Sequence, residues 1–223
     1  MVFKNKNTQI IKFHSRYPQF SLNKPQPSSR YIPEWYRKFP GSIDGHPTLK
    51  KCVPFLDAIG SGYMIELNAD IYWDKEKFID DSKIKNVSEH FPQQSQDFPV
   101  PEGFNPQPYK WENQWHISTP KGYSTLFVHP LNTTTLPFYS ISGVVDTDKH
   151  PLIVNFPFFV KDDFEGTIPA GTPIIQLIPF KRNDWESVII DDKPLETIER
   201  EYEVMNPPYG WYKRNFWNRK LYS

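Results

Sequence analysis

The chain carries 23 prolines against 10 glycines in 223 residues. A proline fixes φ and offers no backbone donor, so neither a helix interior nor a central strand absorbs many of them. Stretches such as "RYPQFSLNKPQPSSRYIPEWYRKFPGS" and "DFPVPEGFNPQPYK" are therefore expected as irregular, extended chain. What remains for regular structure is short strands and a few short helices. Only 38% of the residues are hydrophobic, but 16% are aromatic, so rings must supply much of the buried area.

The length suits one large β domain with elaborations. Residues 1–47 read as an N-terminal arm packed on the body, with Pro33 opening a short helix at "PEWYRKF". Residues 48–188 read as the β domain. In it, Tyr63, Ile65, Leu67 and Ala69 partly alternate with Met64, Glu66, Asn68 and Asp70, which predicts a strand or hairpin with one buried face after a turn at Gly60 and Gly62. Residues 74–110 read as a long surface loop, with a strand in "SKIKNVSEH". Five β-rich runs follow: "QWHIST", "YSTLFVHP", "FYSISGVV", "PLIVNFPFFV" and "GTIPAGTPIIQLIPF". Their density predicts a sandwich or distorted barrel. The last run turns at Pro169 and Gly171, and its strand is too apolar to present a face to water. Residues 189–223 read as a short helix opened by Pro194 and an aromatic-basic arm.

Charge and cysteine usage limit the function classes. Lys+Arg and Asp+Glu are 26 each, so overall charge does not demand a polyanionic partner. One cysteine, Cys52, excludes an intramolecular disulfide and a multi-cysteine zinc site. The start has no signal-peptide apolar core, and no apolar run approaches a membrane span. The expectation is a soluble protein made in the cytoplasm, without a membrane partner.

The candidate chemistry centres on "SGVVDTDKHPLIVNF". Asp146, in a turn between two apolar runs, is either a water-activating base or a turn aspartate accepting backbone hydrogen bonds. Asp148, Lys149 and Gln176 are the candidate ligand-binding partners, Gln176 being otherwise a buried amide. The six histidines form no HExxH pair, and no metal site is expected. His116 and His129, on expected neighbouring strands, would make one only by meeting Asp146 or Asp148. In the tail, Tyr209, Trp211, Tyr212, Phe216 and Trp217 stand among Lys213, Arg214, Arg219 and Lys220 without an acid. That composition fits docking on a neighbouring subunit, or single-stranded nucleic acid as the weaker alternative.

"GVVDTD" followed by "GTPIIQLI" resembles two neighbouring motifs of the dUTPase and dCTP deaminase superfamily. "TPKGYSTLFVHP" is similar to that family's Pro-x-Gly strand, and "GSGYMIELNADI" to its first motif. The resemblance implies a β-clip fold, a trimer with sites between subunits, Asp146 at the place of the water-activating carboxylate, and Gln176 at a phosphate-side position. The departures are specific. Lys149 replaces a tyrosine, Pro173 replaces an arginine, "VHPLNTTT" replaces the Arg-Ser-Gly motif, and the glycine-rich terminal arm is missing. The chain as a whole, through "IPEWYRKFP", "TLKKCVPFLDA" and "GTPIIQLIPFKR", is also similar to proteins of no assigned activity from large tailed phages of marine bacteria. That implies a host cytoplasm or a virion as its place.

Two functions are therefore expected as alternatives. One is a non-catalytic dUTPase-like protein acting as a homo-oligomer or with viral assembly partners, needing no cofactor. The other is a nucleotide-binding or dNTP-hydrolysing enzyme using Asp146 and a divalent metal such as Mg²⁺.

Overall fold

The computed structural model describes residues 8–91, 98–189, 200 and 211–223. The strands of the first half are β1 (Lys12–Ser15), β2 (Gln26–Pro27), β3 (Ser42–Ile43), β4 (His46–Pro47), β5 (Tyr63–Glu66), β6 (Ile71–Trp73), β7 (Phe78–Ile79) and β8 (Val87–Glu89). Those of the second half are β9 (Tyr109–Trp111), β10 (Trp115–Ser118), β11 (Tyr123–Val128), β12 (Phe138–Ser140), β13 (Gly143–Val145), β14 (Phe156–Val160), β15 (Gly166–Ile168) and β16 (Pro173–Lys181). The α-helices are α1 (Glu34–Lys38), α2 (Val53–Gly60) and α3 (Trp211–Asn215). The mostly β class expected from the prolines and the short runs is what the chain adopts. The described strands do not close into a barrel. No described helix is long and apolar enough to cross a membrane.

Two antiparallel sheets share one core. The larger has the order β13-β11-β16-β5-β2, and the other the order β12-β14-β9-β8. A three-stranded sheet, β15-β6-β7, adds Ile71, Trp73 and Ile168 to the same cluster. The aromatic composition explains how a chain poor in aliphatics fills this space. Trp111 stacks on Phe158 at 3.6 Å between ring centroids, and Phe138 meets Trp111 edge-on at 4.9 Å. Each ring brings a large apolar area, and offset or edge contacts add to its burial. The indole nitrogen of Trp111 donates to Ser140 Oγ at 3.0 Å, and that hydroxyl donates to the Ile174 carbonyl at 2.7 Å. One polar chain thus ties the smaller sheet to the larger through the dry interior.

β16 is the strand foreseen as lacking a water-facing side. Ile174 to Leu177 are all buried, because β11 and β5 flank it and the core and α2 cover its faces. β5 departs from the expected alternation: Met64 and Ile65 are both buried, so it too is covered on both faces. Part of the reason is α2, which the strand pattern did not announce. Its signal was Pro54 in the first turn, where a missing donor costs nothing. "FYSISGVV" is not one strand. It divides into β12 and β13, which belong to different sheets. The N-terminal segment does more than pack on the body: β1 pairs with β10, and β2 extends the larger sheet beside β5. In the 74–110 stretch, β8 lies within the strand expected in "SKIKNVSEH", while β7 and the start of β9 add regular structure where loop was expected. The helix expected at Pro194 falls outside the described residues.

The turn from α2 into β5 rests on Gly62, at φ +72°. A Cβ there would lie 1.8 Å from the Leu177 carbonyl oxygen, inside β16 itself. Gly45 has φ +82° but nothing within 4 Å of a Cβ. Gly45→Ala is expected to cost roughly 1–2 kcal/mol, the left-handed backbone penalty alone. Gly62→Ala should cost far more and lower the yield of soluble protein. Urea unfolding of the two variants separates backbone strain from the steric conflict, and equal losses would mean that β16 yields.

Candidate functional site

Asp146, Asp148 and Lys149 lie in one turn that closes β13. The amides of Lys149 and His150 both donate to the Asp146 carbonyl at 2.9 Å. Between the two aspartates, Thr147 points inward and its hydroxyl shares hydrogen bonds with Thr119 at 2.7 Å and Thr125 at 2.9 Å. The alternation Asp-Thr-Asp therefore puts one hydroxyl into the sheet and turns two carboxylates toward Arg182, at the end of β16.

Arg182 organises the cluster. Its guanidinium forms a fork on Asp148, at 2.9 and 2.5 Å, and reaches Asp146 Oδ1 at 3.1 Å. It also donates to the Tyr123 carbonyl and to Ser124 Oγ, both at 2.9 Å. Ser124 Oγ donates in turn to Asp146 Oδ1 at 2.6 Å, and the Gly122 amide donates to Asp148 Oδ2 at 2.7 Å. The Asp148 side chain is only 1% exposed, whereas that of Asp146 is 52% exposed. Hydrogen bonds and positive charge both favour the ionised carboxyl. The Arg182 fork, helped by the Gly122 amide, draws the Asp148 pKa down to about 2. The Ser124 hydroxyl, then Arg182, lowers that of Asp146. A carboxylate held in this way accepts a proton from water less readily, the reverse of the tuning a general base needs.

The other candidates do not join this cluster. Gln176 is fully buried at the far end of the β11–β16 pairing. Ser124 pairs with Phe180 and Val128 with Gln176, so four residues, about 13 Å of strand, separate the two positions. Its amide nitrogen donates to the carbonyls of Ala58 at 2.9 Å and Ser61 at 2.7 Å, and its oxygen accepts from the Leu131 amide at 2.9 Å. The resemblance put Gln176 on a phosphate. Here it closes the C-terminal end of α2 and holds the loop after β11, so both ends of its amide are already engaged. Lys149 is exposed, and it favours the ionised forms of both aspartates.

His116 and His129 do not meet either, because β10 pairs with β1 while β11 lies inside the larger sheet. His116 Nε2 faces the His150 carbonyl at 3.3 Å. His129 accepts from the Ser140 amide at Nδ1 and donates from Nε2 to the Thr133 carbonyl at 3.0 Å. Burial pushes its pKa down. Among the described residues, no group of three His, Cys, Asp or Glu side chains is placed to hold a metal ion. An open pocket of about 550 Å³ lies beside His129, Tyr139, Phe104 and Lys161, away from Asp146.

The tail returns to its own chain. Trp217 donates its indole N–H to Asp57 on α2 at 2.7 Å, and Lys220 reaches the same carboxylate oxygen at 2.6 Å. Tyr222 meets Tyr63 edge-on at 5.8 Å. Tyr212 on α3 and Phe216 just after it are exposed. Tyr209 and the side chain of Trp211 lie outside the described residues. Two residues that carry these arrangements, Arg182 and Asp57, were not singled out from sequence. Arg182 had a usable signal: it is the sole arginine between Arg37 and Arg200, just past the most apolar strand. Asp57 had none, since its partners lie 160 and 163 residues away.

No protein-family model matches the chain, and no curated protein matches it.

Two outcomes test this geometry. Asp148 has a pKa below that of the unfolded chain, so its contribution is complete above about pH 4 and is lost as pH falls toward 2. Melting temperature should therefore drop across that window, and Asp148→Asn should lower it at neutral pH while flattening the acid limb. An unchanged acid limb would move the acid sensitivity elsewhere. Gln176→Leu removes partners from the Leu131 amide and the α2 carbonyls, at roughly 1–3 kcal/mol for each buried group left unpaired. Urea unfolding reads that loss.

Proposed function

We propose that the protein is a non-catalytic β protein, of a scaffold resembling dUTPase, that works by assembling with further copies of itself or with viral assembly partners. The observation that carries this reading is the Asp146 carboxylate bound by Ser124 and Arg182. In the enzyme alternative, Asp146 would take a proton from water while a divalent metal and cations held a triphosphate. Arg182, the nearest cation, is already forked on Asp148. The buried Gln176 supports the same conclusion, as its amide faces backbone and not an open cleft. A role in assembly has its own support in large apolar side chains left exposed. Trp185, Val188 and Ile189 follow one another along a single segment, and exposed apolar clusters of this kind mark interaction sites.

The purified chain, incubated with a panel of dNTPs and Mg²⁺ or Mn²⁺, is expected to release no pyrophosphate and to show no nucleotide-dependent change in melting temperature. Its solution mass is expected to exceed that of one chain. Turnover that disappears in Asp146→Asn would overturn the proposal in favour of the enzyme, and a monomer at every concentration tested would remove the assembly role.

A further inference from the structure

The segment after β16 leaves the sheet and exposes its apolar side chains. Trp185 is 90% exposed, Val188 73% and Ile189 88%. Seven residues, 183–189, reach at most about 24 Å when extended. Trp185 stands between two acids, Asp184 and Glu186. A tryptophan so placed is a typical interface anchor, apolar in its body and costly to leave in water.

Elsewhere on the chain lies a groove of the opposite character. It is an open, largely apolar depression of about 540 Å³ between α3 and the start of α2, lined by Lys50, Cys52, Val53, Leu56, Tyr212 and Lys213 among others. The described lining contains no carboxylate. The Lys50 ammonium donates to the carbonyls of Tyr36 and Arg37, at 2.6 and 2.7 Å, which are neutral groups, and among the described residues it makes no ion pair. Lys213 lies over the Trp217 ring, also a neutral partner. An apolar floor flanked by Lys50, Lys51 and Lys213 is complementary to an indole between two acids, and charge complementarity of this kind sets register and encounter rate.

Resting on the assembly reading above, we infer that the Trp185 segment of one copy docks in the Lys50–Lys213 groove of a second copy, with Trp185 over Leu56 and Tyr212 and with Asp184 and Glu186 beside the lysines. Arm and groove are different surfaces, so each copy gives one arm and receives one. The contact stays finite only in a closed ring or a two-fold exchange. The tail supports this indirectly. By holding α3 against α2 through Asp57, it builds one wall of the groove from its own chain.

Cys52, the sole cysteine, lines the groove and reports on its occupant. In full-length Ser187→Cys, mild oxidation is expected to give a disulfide-linked dimer on a non-reducing denaturing gel, absent when Cys52→Ser is added. Analytical ultracentrifugation should show Trp185→Ser falling to monomer mass at concentrations where the unchanged chain is assembled. Glu186→Lys and Lys213→Glu should each weaken assembly at least tenfold, and the two mixed or combined should restore it. A crosslink confined within one chain, or no Cys52-dependent crosslink, overturns the inference. So does an assembled Trp185→Ser, which leaves the assembly reading standing. An unchanged chain that is monomeric throughout overturns both.

Discussion

Gln176 is the contact on which the other parts of this fold are hung. It sits in the middle of β16, the central strand, and its one amide group satisfies carbonyls at the end of α2 and the amide of Leu131. A helix end leaves carbonyls without intrahelical partners, and burying them against a sheet demands a donor. Gln176 supplies that donor from the sheet itself. α2 is thereby fixed over β16, Gly62 makes the close turn into β5 beneath it, and Asp57 on the same helix receives the tail. Sheet and helix meet at this buried amide, and the helix in turn holds the C-terminal segment through Asp57.

The Asp-Thr-Asp turn illustrates how the same residues serve different ends. From its residues the turn is expected to be either a catalytic turn or a structural one, on Gly143, Asp146 and the strand that follows. What decides its chemistry is the cation it meets. Arg182 approaches from the end of β16 and engages both carboxylates, the buried one through two parallel hydrogen bonds. That geometry is the strong, directional form of carboxylate recognition. It stitches β11, β13 and β16 together where the sheet ends. A carboxylate stabilised in its charged form holds structure well and removes protons poorly.

The two aromatic segments near the C-terminus behave oppositely. Residues 211–223 return to the body, where Asp57 neutralises Lys220 and orients Trp217. The 183–189 segment presents Trp185 outward beside two acids. Composition alone marked the tail as the sticky element, because its rings are denser. Yet a ring count does not say which rings find partners within the same chain.

The residues alone were enough to determine the class of the structure. Prolines barred long helices, short apolar runs required short strands, the composition of "PIIQLI" demanded burial on both faces, and scarce aliphatics demanded a ring-filled core. These follow from local steric rules and from transfer of apolar area, which need no knowledge of distant partners. Tertiary structure alone decided the rest. It divided "FYSISGVV" between two sheets, placed Arg182 on Asp146 and Asp148, separated His116 from His129, and brought Trp217 to Asp57. Each of these depends on which distant backbone lies alongside. The chemistry of a carboxylate is set by the charges and donors within a few ångströms of it, wherever in the chain they originate.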